Sequence, residues 1–386
     1  MTYEVAVRRT AMTTSNGQQK QNVSGLQIQG GAAVVAPASA FQGAIPANAL
    51  IVVPISKPTD DLVAKLEQGP VVVTNDQLWE LLGFNGPAVQ VADDQGRPIA
   101  IGLEDLLSGL EQHWTEDPND LNRARIFAQE LLKHQRHARA EQVLTKLVAK
   151  GGTGDDWLAL GICQLQQDKL DKAEGTLKGA VNLLKQSPYP NLHLARVYAK
   201  KSDTALEDEH IEKALALDTG CVDAWAYMFQ THRERDGEDK AIEFIEERAK
   251  DQPNAAPWVA LQGFFANKEE SRDRAIAFAE KGVAANDGDT LALLCLSALY
   301  GQAGTLGKIV ELLSKHEAKM PNNVHLANNY FEALFQTGQL DKVTRLLNAL
   351  AGSANKEVKQ FAIQRSQVVA QFLQQQQQRL AATAKA

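Results

Sequence analysis

At 386 residues the chain is longer than a single globular core is expected to grow, so two regions or a stacked array is the default. Hydrophobic residues make up 44% and charged residues 23%, the balance of an ordinary water-soluble protein. The net charge of −7, with an isoelectric point near 5.7, opposes non-specific binding to nucleic acid or to an anionic membrane.

Residues 1–30 are rich in Thr, Ser, Gln, Asn and Gly and read as a flexible arm. Arg8-Arg9 could open an export signal, but the polar residues that follow lack the apolar segment one needs. From 31 to 112 the texture is that of a small α+β module. Leu50-Ile51-Val52-Val53 and Val71-Val72-Val73 are β-branched runs bounded by Pro and Gly, the pattern of buried strands. Helices are expected at Thr59–Leu66 and Asn75–Leu82, the second stopped by Gly83. Ala88–Val91 and Pro98–Ile101 flank Asp93-Asp94-Gln95-Gly96 as a hairpin, and a helix closes the module at Leu103–Leu107. The stretch from Val89 to Leu110 is faintly similar to the second half of a cystathionine-β-synthase-type nucleotide-sensing module, with no second copy. No stretch reaches the roughly 20 unbroken apolar residues of a membrane helix. Cys163, Cys221 and Cys295 are far apart and form no CxxC pair, so a reducing, cytoplasmic location is expected.

The rest of the chain keeps a period of 34. Ala173, Glu207, Ala241, Ala275, Ile309 and Val343 stand at equal steps, and Leu144, Leu177, Ile211, Ile245, Ala279, Leu313 and Leu347 form a second register. A third register supplies large apolar residues: Phe127, Leu160, Leu194 and Met228, then Gln262, Leu296 and Tyr330. One position on, five of seven residues are small (Ala128, Gly161, Ala195, Gly263 and Ser297, against Phe229 and Phe331), as close helix approach requires. Glu207, Arg248, Gln262 and His316 break the pattern. A late start is expected for the helix holding Glu207, and the first unit, around 120–152, fits least well. Residues 354–386 read as a capping helix with a Gln-rich tail, its apolar stripe at Val358, Phe361, Ala362, Val369, Phe372 and Leu373.

Trp157-Leu158-Ala159-Leu160-Gly161 followed by Ala173, Leu177 and Ala180 resembles the tetratricopeptide repeat (TPR) pattern. So do Trp225 with Ala241, Ile245 and Pro253, and Tyr330 with Val343 and Leu347. The resemblance covers residues 118–353, about seven helix pairs. It implies a mainly α fold, a TPR-like right-handed α-solenoid, whose first helices line a concave groove. Carried onto this sequence, the groove positions are Leu192, Arg196 and Lys200; Ala226, Gln230 and Arg233; Ala260, Phe264 and Lys268; and Asn328, Glu332 and Gln336. The two-carboxylate clamp of some family members is absent, because Leu158 and Ile162 occupy its earliest positions.

No phosphate loop, nucleophile elbow or His-Glu-x-x-His is present, and no cofactor or metal is expected. His134 and His137 share a helix face, but Lys133 and Arg136 beside them disfavour a cation. The expected function is a non-enzymatic scaffold. Its partner would be an acidic or amphipathic protein segment, or a second copy of the chain, with no nucleic acid and no membrane insertion. A second reading gives the N-terminal module a small-molecule ligand and leaves the array to recruit a target.

Overall fold

The computed structural model describes residues 3–9, 33–37, 49–55, 71–73, 88–92, 98–250 and 252–383, with side chains for 102–250 and 252–378. The chain divides into two compact units, Met1–Ala180 and Val181–Ala386. The division falls inside the helical array, whereas the sequence changes texture near residue 118.

In the first unit, β1 (Tyr3–Arg9), β2 (Ala33–Pro37), β3 (Ala49–Ile55) and β4 (Val71–Val73) form an antiparallel sheet in the order β3-β1-β2-β4. Tyr3–Arg9, expected within a flexible arm, are thus corrected to an inner strand. Its alternation of Tyr3, Val5 and Val7 with Glu4 and Arg8 has a strand's period of two. β5 (Ala88–Ala92) and β6 (Pro98–Gly102) pair antiparallel, with Val89 opposite Ile101. The helices expected at Thr59–Leu66 and Asn75–Leu82 lie outside the described residues.

α1 (Leu103–Glu116) follows β6 directly. It buries Leu103, Leu107 and Trp114 in one core with Phe127, Leu131, Leu144 and Leu160. The helix expected to close the N-terminal module therefore packs into the first repeat, Trp114 lying 5.9 Å from the Phe127 ring. That first repeat is a regular pair, α2 (Leu121–Lys133) and α3 (His137–Ala149). The second is α4 (Gly154–Gln166) and α5 (Leu170–Leu183), where a Cβ on Gly161 would stand 2.6 Å from Leu177. Only glycine permits that approach.

Five further pairs follow. They are α6 (Tyr189–Lys200) with α7 (Thr204–Leu217), α8 (Val222–Asp236) with α9 (Glu238–Ala249), and α10 (Ala256–Phe265) with α11 (Arg272–Ala285). α12 (Thr290–Gln302) with α13 (Leu306–Ser314), and α14 (Val324–Gln336) with α15 (Leu340–Ala351), complete them. α16 (Lys356–Thr383) lies on the last pair. One continuous core runs through this unit from Leu192 to Val369. The array is TPR-like in period, pairing and register.

The period of 34 is written in the turns as well as in the core. Gln135, Asp168, Ser202, Gly304 and Gly338, one per pair, take φ between 55° and 73°. After each, the next N–H reaches back five residues: Arg136 to Leu131, Lys169 to Gln164, Asp203 to Tyr198, Thr305 to Tyr300, and Gln339 to Leu334, at 2.8 to 2.9 Å. This is the left-handed helix stop that satisfies the last carbonyls. Two pairs depart from it. The α8–α9 turn rests on Gly237 (φ 93°), and α10 meets α11 through a 3-10 turn at Glu269–Ser271.

Candidate binding groove

The first helices are held with little of their surface open. α6 buries Pro190, Asn191, Leu192, Leu194, Ala195, Val197 and Tyr198, since neighbours pack on more than one side of it. Leu192, expected at the groove, is only 1% exposed and belongs to the core. The more exposed stripe of α6 is instead Arg196 and Lys200, one helical turn apart, with His193 largely buried a turn before them. Burial, with the charge of Arg196 adding to it, pushes His193 down to about 4, so its ring is neutral at pH 7.

Arg196 lies over the Tyr227 ring of α8 at 5.4 Å. Tyr227 donates its hydroxyl to Glu207 at 3.0 Å, and burial together with that carboxylate raises its pKa well above the usual phenol range. One helix on, Arg233 sits 4.5 Å from the Phe264 ring centre and Lys268 5.1 Å from it. Phe264 meets Phe229 edge-on at 5.1 Å. Cations over ring faces are drawn by the ring quadrupole and gain roughly 0.5–1 kcal/mol at such half-open positions. Among the described residues, Arg196, Arg233 and Lys268 form no ion pair with any carboxylate. Gln230 beside them donates to Glu234 at 3.0 Å.

Between α8 and α10 the wall opens into a cleft of about 360 Å³. Ala226, Gln230, Arg233, Ala260 and Phe264, expected from the sequence, all line it, and Ala260 is itself 5% exposed. Sequence reasoning missed Val222, Phe229, Val259 and Gly263, which complete the lining. The signal for Phe229 was present, a large ring in a register of small residues. Gly263, at a position where the register expects close helix packing, is exposed, and an added Cβ there meets nothing within 4 Å.

At the last pair the expected groove is occupied from within. Arg365 of α16 donates to Asn328 at 3.0 Å and pairs with Glu332 at 3.0 Å, while its guanidinium covers Phe331 at 5.2 Å. Asn328 and Glu332 therefore hold the capping helix, and the open wall lies on α6, α8 and α10.

The second helices carry a different pattern. Glu212 pairs with Arg248 at 2.7 Å, Glu238 with Arg274 at 2.8 Å and Glu246 with Lys281 at 2.5 Å, each joining the second helices of neighbouring pairs. That accounts for Arg248, which departs from the repeat pattern because it serves its neighbour. These pairs are substantially exposed and contribute little stability each. Among the described residues no group of three or more His, Cys, Asp or Glu could hold a metal, and no described helix is long and apolar enough to cross a membrane.

No family model matches the sequence, and no curated protein matches it. Solved structures similar to it include MamA from Desulfovibrio magneticus RS-1, at 18% identity over 39% of this chain and 88% of that one, TM-score 0.34. YrrB, described as a TPR protein with an unusual peptide-binding site, is 16% identical over 48% of this chain and 95% of its own, TM-score 0.31. Yeast Tom70 is 12% identical over 71% of this chain and 59% of its own, TM-score 0.37. The repeat itself is displayed in the chain's own registers and turns.

Proposed function

We propose that this chain is a non-enzymatic, cytoplasmic scaffold that holds an acidic or amphipathic segment of a partner protein along α6, α8 and α10. One observation carries the reading. Arg196 of α6, Arg233 of α8 and Lys268, three residues past the end of α10, lie over aromatic faces, without carboxylate partners among the described residues, beside an open cleft. Arginine and lysine laid on rings are already positioned, so little side-chain entropy is lost when an anion arrives. An amphipathic helix or extended peptide meets both halves of such a wall, its apolar side in the cleft and its carboxylates on the cations.

The test is capture from the native cell lysate by immobilised full-length protein and by the double variant Arg196→Glu with Lys200→Glu. Loss of specific partners, with helicity unchanged by circular dichroism, supports the groove. Recovery of the same proteins by both forms removes it.

A further inference from the structure

One register position of the first helices behaves differently in one unit. Ala128, Ala195, Phe229, Ser297 and Phe331 are at most 2% exposed, and Gly161 is buried with no room for a Cβ. Gly263 alone in that register is exposed, with open space where a side chain would stand. It sits inside α10, where glycine costs about 0.5–1 kcal/mol relative to alanine. Packing gives no reason for that cost, because no neighbour comes close. What the missing side chain does leave open is space at the wall of the cleft, which Gly263 lines together with Phe229 and Phe264.

The rim supplies the chemistry of the occupant. Arg233 stands at the cleft edge over Phe264, Lys268 flanks the same ring, and neither has a carboxylate partner among the described residues. The nearby acid, Glu234, is engaged by Gln230. The interior of the cleft is apolar, so an entering group must be apolar too, and its neighbour in the partner chain must be anionic to meet the rim.

We propose that the Gly263 cleft is the anchoring pocket of the groove: it takes one large apolar side chain of a partner segment that carries a carboxylate about one helical turn away, bound by Arg233. This rests on the groove reading of α6, α8 and α10. Gly263 serves by being absent above its Cα, which lets the anchor reach the helix backbone. A cleft of about 360 Å³ suits an aromatic or long aliphatic side chain.

The experiment is selection of a random twelve-residue peptide library on the full-length protein, followed by fluorescence anisotropy with the enriched peptides. Enriched sequences are expected to share a large apolar residue with Asp or Glu three or four positions away. Gly263→Leu, which fills the cleft with a better helix former, weakens them at least tenfold, about 1.4 kcal/mol. Gly263→Ala, which leaves most of the cleft open, keeps binding within about threefold. Peptides that bind Gly263→Leu undiminished yet fail on Arg196→Glu with Lys200→Glu overturn the anchor and leave the groove standing. No enrichment, or binding indifferent to both variants, overturns the anchor and the groove together. A concentration-dependent dimer in sedimentation that Gly263→Leu abolishes would assign the cleft to a second copy, against the proposal.

Discussion

Arg235 of α8 is ion-paired with Glu207 of α7, a carboxylate only 5% exposed at a register position where the repeat calls for a small residue. Tyr227 and Thr231 donate to the same carboxylate at 3.0 and 3.2 Å, and Arg235 also holds Asp208. The polar stretch around Glu207 does not delay its helix. α7 starts at Thr204, capped by Asp203 at the Leu206 N–H. A buried charge is tolerated here because three donors replace the water it lost.

Removing Arg235 leaves that charge underserved. Arg235→Ala is expected to destabilise the protein by about 2 kcal/mol, discounted from a fully buried pair because Arg235 keeps contact with solvent. Glu207→Gln in the same background should recover much of the loss. Urea unfolding of the two single variants and the double one measures this. Additive losses would show that Glu207 and Arg235 do not depend on each other.

Gly161 and Gly263 occupy the same register and should respond oppositely to alanine. At Gly161 the new Cβ collides with Leu177 at 2.6 Å, so a loss of about 1–3 kcal/mol is expected from overpacking. At Gly263 nothing stands within 4 Å, so alanine should stabilise by about 0.5–1 kcal/mol. Thermal unfolding of both variants decides it, and a loss at Gly263 would mean the cleft is closed in solution.

His193 makes stability depend on pH. Its folded value of about 4 lies below the unfolded value near 6.5, so the unfolded chain binds the proton first. Its contribution is complete above about pH 6.5 and is lost as pH falls toward 4. His193→Met should flatten the denaturation midpoint between pH 7 and pH 4 relative to the parent chain. Parallel pH profiles for the two proteins would contradict this.

Asp156 acts at lower pH. Burial raises its carboxyl, but Arg125, bound through two nitrogens at 3.0 and 3.1 Å, and the Thr153 N–H at 2.7 Å outweigh that and leave it below the usual carboxylate range. A depressed carboxyl contributes stability above its unfolded value, near 3.9, and loses it as pH falls through the folded value. Arg125→Met is expected to lower stability at pH 7 and to lose less on going to pH 3. Thermal unfolding at the two pH values checks it, and an equal acid loss in both proteins would rule out the coupling.

Candidate groove positions are legible in sequence because side chains recur on one helix face at fixed spacing. Arg196, Arg233 and Lys268, positions the register names, each lie over an aromatic ring, the last two over Phe264. Leu192 is buried instead, since a linear register cannot show that α6 is packed on more than one side. Asn328 and Glu332 were equivalent to groove residues in sequence, yet the capping helix brings Arg365 onto both.

The amino-acid sequence by itself determined the period, the helix pairs and their stops. These follow from local rules: apolar spacing, capping by Asp120, Asp203 and Asp289, and the left-handed turns that end the first helices. Only the tertiary structure decided which faces stayed open. Gly161 and Gly263 are the same residue at the same register. Leu177 packs against one and nothing packs against the other, because what fills a position is set by a neighbouring helix and not by the residue itself.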